Sequence, residues 1–151
     1  MRQKGWSMFC FAHGSNLWRR QMRTRCPGQR KVGAGRLDGW CWIISARGYA
    51  SIVRSDADYV LGTVYELPPA DVESLDRLEG VGQGGYYKEM ITVDVDGGER
   101  TCLVYIDPVV QEGSPKEEYI ARINNGVHDA GLGDDYVTRY LRPFVPAGSD
   151  E

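Results

Sequence analysis

Two short stretches of this 151-residue chain carry residue types that could act on a small polar molecule. In Phe11-Ala12-His13-Gly14-Ser15-Asn16-Leu17 an apolar run meets a Gly-Ser-Asn turn, and a helical pattern begins at Trp18. Such a turn lines up backbone N–H groups at a helix start, where a carboxylate or a developing oxyanion is stabilised. In Leu75-Asp76-Arg77-Leu78-Glu79-Gly80-Val81 the leucines are spaced to point inward, and Glu79 falls at a helix C-terminal end. The helix dipole disfavours a negative charge there. A carboxyl so placed has a raised pKa, which suits a general base. Each stretch also has a plain structural explanation: a strand-to-helix turn capped by Ser15 or Asn16, and a solvated surface glutamate.

Other motifs fail on their surroundings. Gly80-Val81-Gly82-Gln83-Gly84-Gly85 resembles a phosphate loop, but no Lys-Ser or Lys-Thr follows. It also runs from a helix into a strand, the reverse of what a phosphate loop requires. His13-Gly14-Ser15 is not the GxSxG elbow of a hydrolase, and no acid partner can be assigned to it. Two histidines and four dispersed cysteines (Cys10, Cys26, Cys41, Cys102) show no zinc-ligand spacing, so no metal site is expected.

The elements that must position these residues follow from pattern. Met8 to His13 reads as a strand stopped by Gly14. Trp40 to Ala46 and Tyr49 to Arg54 read as strands around a turn at Arg47-Gly48, and Val60 to Leu67 as another. Tyr86 to Asp94 and Arg100 to Ile106 flank Asp96-Gly97-Gly98 and predict a hairpin. A short helix starts at Pro68-Pro69 and ends at Gly80. A longer one starts at Ser114, with Pro115 and Glu117 completing a capping box. Ile120, Ile123, Val127 and Ala130 line its apolar face, and Gly131 closes it. A last helical turn or two, Asp134 to Leu141, ends before Pro143. The fold class is α+β: a small mixed, mainly antiparallel β-barrel flanked by a few helices.

Composition bounds the rest. The chain reads as one domain over residues 1–151, with a core of about 8–142 and flexible ends. Hydrophobic residues at 42% and charged residues at 26% exclude wholesale disorder. The longest apolar runs, Met8–Ala12 and Trp40–Ile44, are far below the ~20 residues of a membrane span. No export signal is legible, so reduced thiols and a cytoplasmic location are expected. The 19 glycines are scattered, which suggests many tight turns. Charge is uneven: residues 1–36 hold nine Arg or Lys and no acid, while the remainder carries all 21 Asp and Glu. Such a basic segment raises nucleic acid as a partner, yet Arg19, Arg20, Arg23 and Arg25 read equally as a solvated helix face balancing an acidic body. Nucleic acid is therefore disfavoured.

Taken together, the two stretches and what lies between them resemble the γ-glutamylcyclotransferase family, the AIG2-like group, from about Phe9 to Leu141. The matching pieces begin with His13-Gly14-Ser15-Asn16-Leu17 (Tyr-Gly-Ser-Asn-Leu in the family), Arg25-Cys26-Pro27 and Ala50-Ser51-Ile52. Val60-Leu61-Gly62-Thr63-Val64-Tyr65 follows, then Leu75 through Val81 with Tyr86. Cys102-Leu103-Val104-Tyr105, Ser114-Pro115 with Tyr119, Asn125-Gly126-Val127 and Gly131-Leu132 complete the set. Their order and spacing carry the resemblance.

The resemblance implies a β-barrel flanked by helices and a reaction without cofactor. The α-amine of a γ-glutamyl compound attacks its own side-chain carbonyl, giving 5-oxoproline and a free amine. It implies Glu79 as the general acid/base. It implies substrate binding by His13, Gly14, Ser15, Asn16 and Leu17, with Tyr86, Tyr105 and Tyr119 offering hydroxyls. The implied partner is a small γ-glutamyl molecule, for a chain that is a monomer or homodimer. Two departures stand out. His13 replaces a tyrosine, so a phenol becomes an imidazole able to carry charge. The Ser45–Ala50 connection is short, which would leave the rim of the site more open.

Two other functions compete. One is a non-catalytic module binding a small ligand, or nucleic acid through the Arg-rich segment 19–25. The other is a thiol enzyme using Cys10 or Cys26, which needs an activated thiolate.

Overall fold

The computed structural model of the chain describes residues 6–148. Strand β1 (Met8–Ala12) lies between two partners, antiparallel to β3 (Ala50–Leu67) and parallel to β5 (Gly98–Ile106). Strand β2 (Arg30–Ile44) runs antiparallel to β3 and, at Gly35 and Arg36, to β4 (Tyr87–Val95). The β4–β5 hairpin completes a closed barrel in the order β1-β3-β2-β4-β5. Its turn is the expected one: Asp96 and Gly97 both have positive φ, 52° and 76°, as a two-residue turn between twisted strands requires.

Alternation along the strands builds two cores. Phe11, Val64, Val93, Val95, Cys102 and Val104 belong to one cluster, which continues into the aromatic residues under the last helices. Their immediate neighbours Cys10, Ala12, Tyr65, Leu103 and Tyr105 face the other way. They pack with Leu17, Met22 and Cys26 around helix α1 (Arg19–Arg25) and with Val72 and Leu75 of helix α2 (Pro69–Leu78). The candidate site opens at the edge of this second layer. Leu75 is buried as the spacing implied, but Leu78 is 51% exposed, because the helix ends there at the mouth of a cavity.

Three sequence expectations change. First, β2 begins at Arg30, ten residues before Trp40, in a glycine-rich stretch that reads as turns. Gly35 and Gly62 pair across β2 and β3, and a Cβ on either would meet the Phe11 ring at about 3 Å. These glycines make room for an aromatic ring and do not turn the chain. Second, Tyr49–Arg54 and Val60–Leu67 are parts of one strand, in which residues 55–58 bulge opposite Gly39. Third, the capping box does not form. Helix α3 (Glu117–Ala130) starts after Lys116 with no side-chain cap. Backbone bonds Ala46 N–H to Gln111 O (2.8 Å), Gly113 N–H to Ile44 O (2.8 Å) and Lys116 N–H to Gly48 O (3.1 Å) hold segment 111–116 extended along the β2–β3 turn. Ser114 and Pro115 are thereby kept out of the helix.

The core also reaches beyond residue 142, since Val145 is fully buried. Of the ends expected to be flexible, Met1–Gly5 and residues 149–151 lie outside the described residues. Ser7 is tied to Glu66, and Asn124 donates to the Pro146 carbonyl. After α3, a helical turn (Asp134–Tyr136, α4) continues as π-helical Val137–Leu141.

Candidate active site

A cavity of about 410 Å³ opens where the end of β1, the end of α2 and the start of α3 meet. His13, Gly14, Ser15, Asn16, Glu79, Tyr86, Tyr105 and Tyr119 all line it, although more than a hundred residues separate the first from the last. Leu17 does not. It is buried against Gly126 of α3, where a Cβ at 126 would come within 2.8 Å of the Leu17 Cβ. Its contribution is to seat the turn.

The turn is a single 3₁₀ turn, Ser15–Leu17, in which Leu17 N–H donates to Gly14 O and Trp18 N–H to Ser15 O. Neither Ser15 nor Asn16 caps it. Their side chains instead take bonds from Gln21 Nε2, at 2.7 Å to Ser15 Oγ and 3.0 Å to Asn16 Oδ1. The Ser15 hydroxyl hydrogen stays available to donate.

Glu79 follows the last residue of α2 and begins a glycine loop that closes on itself. Tyr86 N–H donates to Glu79 O (2.9 Å), and Gly85 N–H donates to Gly80 O (3.0 Å). This doubling back puts Glu79 and Tyr86 on one wall. The Glu79 side chain is 17% exposed, and its only ion-pair partner among the described residues is Arg25, 3.6 Å away. Burial pushes the carboxyl above its ordinary range, opposed by the Arg25 charge.

His13 is neutral. Its Nε2–H donates to Tyr105 O at 3.0 Å, and burial lowers its pKa to about 4. The charged imidazole that the sequence allowed does not arise near neutral pH. Nδ1, left without a partner, is an acceptor.

The three tyrosines are not equivalent. Tyr105 donates to Asp76 Oδ1 (2.8 Å), and Tyr86 donates to Ala50 O (2.6 Å). Tyr119 accepts from Ala50 N–H (3.2 Å). Burial raises its pKa, while the Ala50 N–H and the Ser15 hydroxyl and N–H favour the anion. An oxygen facing those donors has its own hydrogen directed elsewhere. Of the three phenols expected to offer hydroxyls, only Tyr119 retains one.

The rim is bridged, not left open by the short β2–β3 turn. Arg47 from that turn donates to Gly84 O (2.8 Å) and pairs with buried Asp107 at 3.5 Å. Arg47 was not singled out in the sequence; its place on the connecting turn was the available signal. Arg25 appeared within a basic run and in the matching piece Arg25-Cys26-Pro27, with no role in the site. Among the described residues no three His, Cys, Asp or Glu side chains converge as a metal ion would require.

The competing readings lose ground here. Burial pushes the Cys10 thiol far up and the Cys26 thiol to about 12, which suppresses the thiolate both would need. In the basic segment, Arg19 lies over the Tyr65 ring and Arg25 turns into the cavity, leaving Arg20 and Arg23 exposed. No described helix is long and apolar enough to cross a membrane.

Comparison with known proteins places the chain among members of one family. The AIG2-like family matches residues 59–140, a span that includes Glu79 and Tyr119. The γ-glutamylcyclotransferase of Mus musculus is 30% identical over 145 residues, covering 89% of this chain and 77% of that protein. The Homo sapiens enzyme of the same name is 29% identical over 141 residues, covering 86% and 75%. A solved γ-glutamyl cyclotransferase structure superposes with a TM-score of 0.83 at 26% identity, over 97% of this chain and 92% of that one.

Proposed function

Since the chain belongs to the AIG2-like, γ-glutamylcyclotransferase family, we propose that it converts a γ-glutamyl amino acid or amine to 5-oxoproline and a free amine, with Glu79 as acid and base. The observation that carries this reading is the Glu79 carboxyl. It lines the same cavity as the 13–16 turn, bridged to it by Arg25, with a raised pKa and only one ion-pair partner among the described residues.

The reaction needs no enzyme nucleophile, because the substrate supplies its own. The turn and its donors hold the glutamyl group folded, so that the α-nitrogen approaches the γ-carbonyl carbon. Glu79 takes one proton from the α-ammonium, which frees the amine lone pair to form the new C–N bond. It passes that proton to the departing nitrogen as the amide bond breaks, and the second proton shed by the ring nitrogen leaves the freed amine as an ammonium. An ordinary glutamate near pKa 4.3 is poorly matched to an amine near 8, and burial narrows that gap. The Tyr119 oxygen faces the Ala50 N–H and the Ser15 hydroxyl, so its own hydrogen is directed elsewhere and can stabilise the carbonyl oxygen as it becomes negative. Neutral His13 adds an acceptor to a wall that would repel the substrate's ammonium were the imidazole charged.

The test is 5-oxoproline release from a panel of γ-glutamyl amino acids, γ-glutamylamines and glutathione. Glu79→Gln should lower turnover by about 10²–10⁴-fold on every member that reacts. Full turnover in that variant overturns the assignment, and the panel ranks the leaving amines.

A further inference from the structure

Arg25 is the last residue of α1 and is held at both ends. Its carbonyl accepts the Ser74 hydroxyl of α2 at 2.7 Å, fastening this helix to the one that leads into Glu79. Its guanidinium donates to Asn16 Oδ1 at 3.2 Å and lies 3.6 Å from Glu79 Oε2. Asn16 belongs to the turn and Glu79 to the end of α2, two segments 63 positions apart in the chain. The Arg25 side chain is 22% exposed, so the bridge lies inside the mouth of the cavity and not on the open surface.

We propose that Arg25 is a positioning residue which shares its guanidinium between Asn16 and Glu79 and so couples the turn that holds the glutamyl head to the carboxylate that moves its proton. The inference rests on the cyclotransferase reading of Glu79. One guanidinium nitrogen, Nη1, makes both contacts, and the rigid plane of the group fixes where its two hydrogens point, which the rotating ammonium of a lysine does not. Cys10 of β1, Tyr105 of β5, Tyr86 before β4 and Tyr119 of α3 also face this pocket, and burial keeps all of them uncharged. Of the other charged groups that line it, Arg47 pairs with Asp107, and Arg122 pairs with Glu118 on α3. Among the described residues Arg25 is the cation that pairs with Glu79. The basic segment is thereby divided: Arg20 and Arg23 face solvent, while Arg25 belongs to the site.

The experiment compares Arg25→Met, Arg25→Lys and, as a control on the same helix, Arg23→Met. The Glu79 carboxyl is followed by carbon NMR in the resting protein, its signal assigned by its loss in Glu79→Gln. Kinetics are run in parallel on whichever γ-glutamyl substrate the panel selects. Arg25→Met should move the Glu79 midpoint up by about one pH unit and lower kcat about tenfold or more. Arg25→Lys should return most of the midpoint but not kcat, since a flexible ammonium keeps the charge without the plane that sets the direction of both contacts. Arg23→Met should change neither. An unmoved midpoint in Arg25→Met, or full recovery of kcat by lysine, overturns the positioning role. If Glu79→Gln is inactive while Arg25→Met matches the unaltered protein, this inference alone fails. If Glu79→Gln is fully active, the cyclotransferase assignment fails first, and the midpoint still reports whether the two side chains interact.

Discussion

Two carboxylates in this protein have nearly the same neighbours and opposite characters. Asp58, in the bulge of β3, and Glu79, after α2, are each accompanied by tyrosines and an arginine, and their side chains are 21% and 17% exposed. Asp58 accepts hydrogen bonds from the Ser55 hydroxyl and from Tyr140 (2.7 Å) and lies 3.4 Å from Arg139. Those donors hold its carboxyl below the usual range. Glu79 has only the ionic contact with Arg25, and burial raises it. The tyrosines divide in the same way. Tyr59, Tyr136 and Tyr140 pack ring against ring at 5.2–5.6 Å, whereas Tyr86, Tyr105 and Tyr119 surround empty space. Residue type and clustering do not separate a structural acid from a reactive one. The separation comes from whether the acceptor oxygens are already occupied.

The largest expected effect breaks that symmetry in both directions. Glu79→Gln should abolish most turnover and leave the urea midpoint at pH 7 unchanged or higher. The sign follows from a folded-state pKa above the unfolded one. The stability linked to Glu79 is present at low pH and lost as pH rises through its folded value, so a neutral amide removes a cost at pH 7. Asp58→Asn should do the reverse, keeping turnover while lowering the urea midpoint. If both variants lose activity equally, the distinction between the two sites is wrong.

A smaller effect sharpens it. Tyr119→Phe should lower kcat by roughly tenfold or more with less change in KM, if its hydroxyl has the proposed role of donating where charge develops. Tyr140→Phe should leave kcat alone and cost stability through the exposed oxygen of Asp58. Equal kinetics in both variants would remove Tyr119 from the chemistry.

The smallest concerns His13. With its pKa near 4, below the unfolded 6.5, the histidine contributes stability that is complete above pH 6.5 and lost as pH falls towards 4. His13→Gln should flatten the stability profile across that window in urea titrations at several pH values. A profile as steep as before would show that another group drives the acid transition.

These contrasts also mark what the sequence could tell. The Asp96-Gly97 hairpin, the helix ending before Gly80 and the barrel class were legible because each depends on local turn chemistry or on alternation. The part of strand β2 before Trp40 was not, because Gly35 looks like a turn until Phe11, distant in sequence, is seen to need the space. The helix cap at Ser114 failed for a related reason. A nonlocal backbone ladder to the β2–β3 turn outweighed a locally favourable cap. At the site, the resemblance indicated Glu79 and the 13–16 turn. It did not indicate which phenols were already bonded, that Leu17 faces away, or that Arg25 and Arg47 reach the rim. Those depend on hydrogen-bond partners supplied by other elements.

The 13–16 turn also carries an optical handle. Trp42 is 1% exposed, packs edge-on to Phe144, and does not line the cavity. Its indole N–H donates to the carbonyl of His13 at 2.8 Å. The excited indole is more polar than the ground state, so its emission follows the field at that hydrogen bond. A ligand settling on the 13–16 turn should therefore shift or quench the Trp42 component. Occupancy could then be read by fluorescence in the unlabelled protein with every cavity residue left in place, and equally in Glu79→Gln.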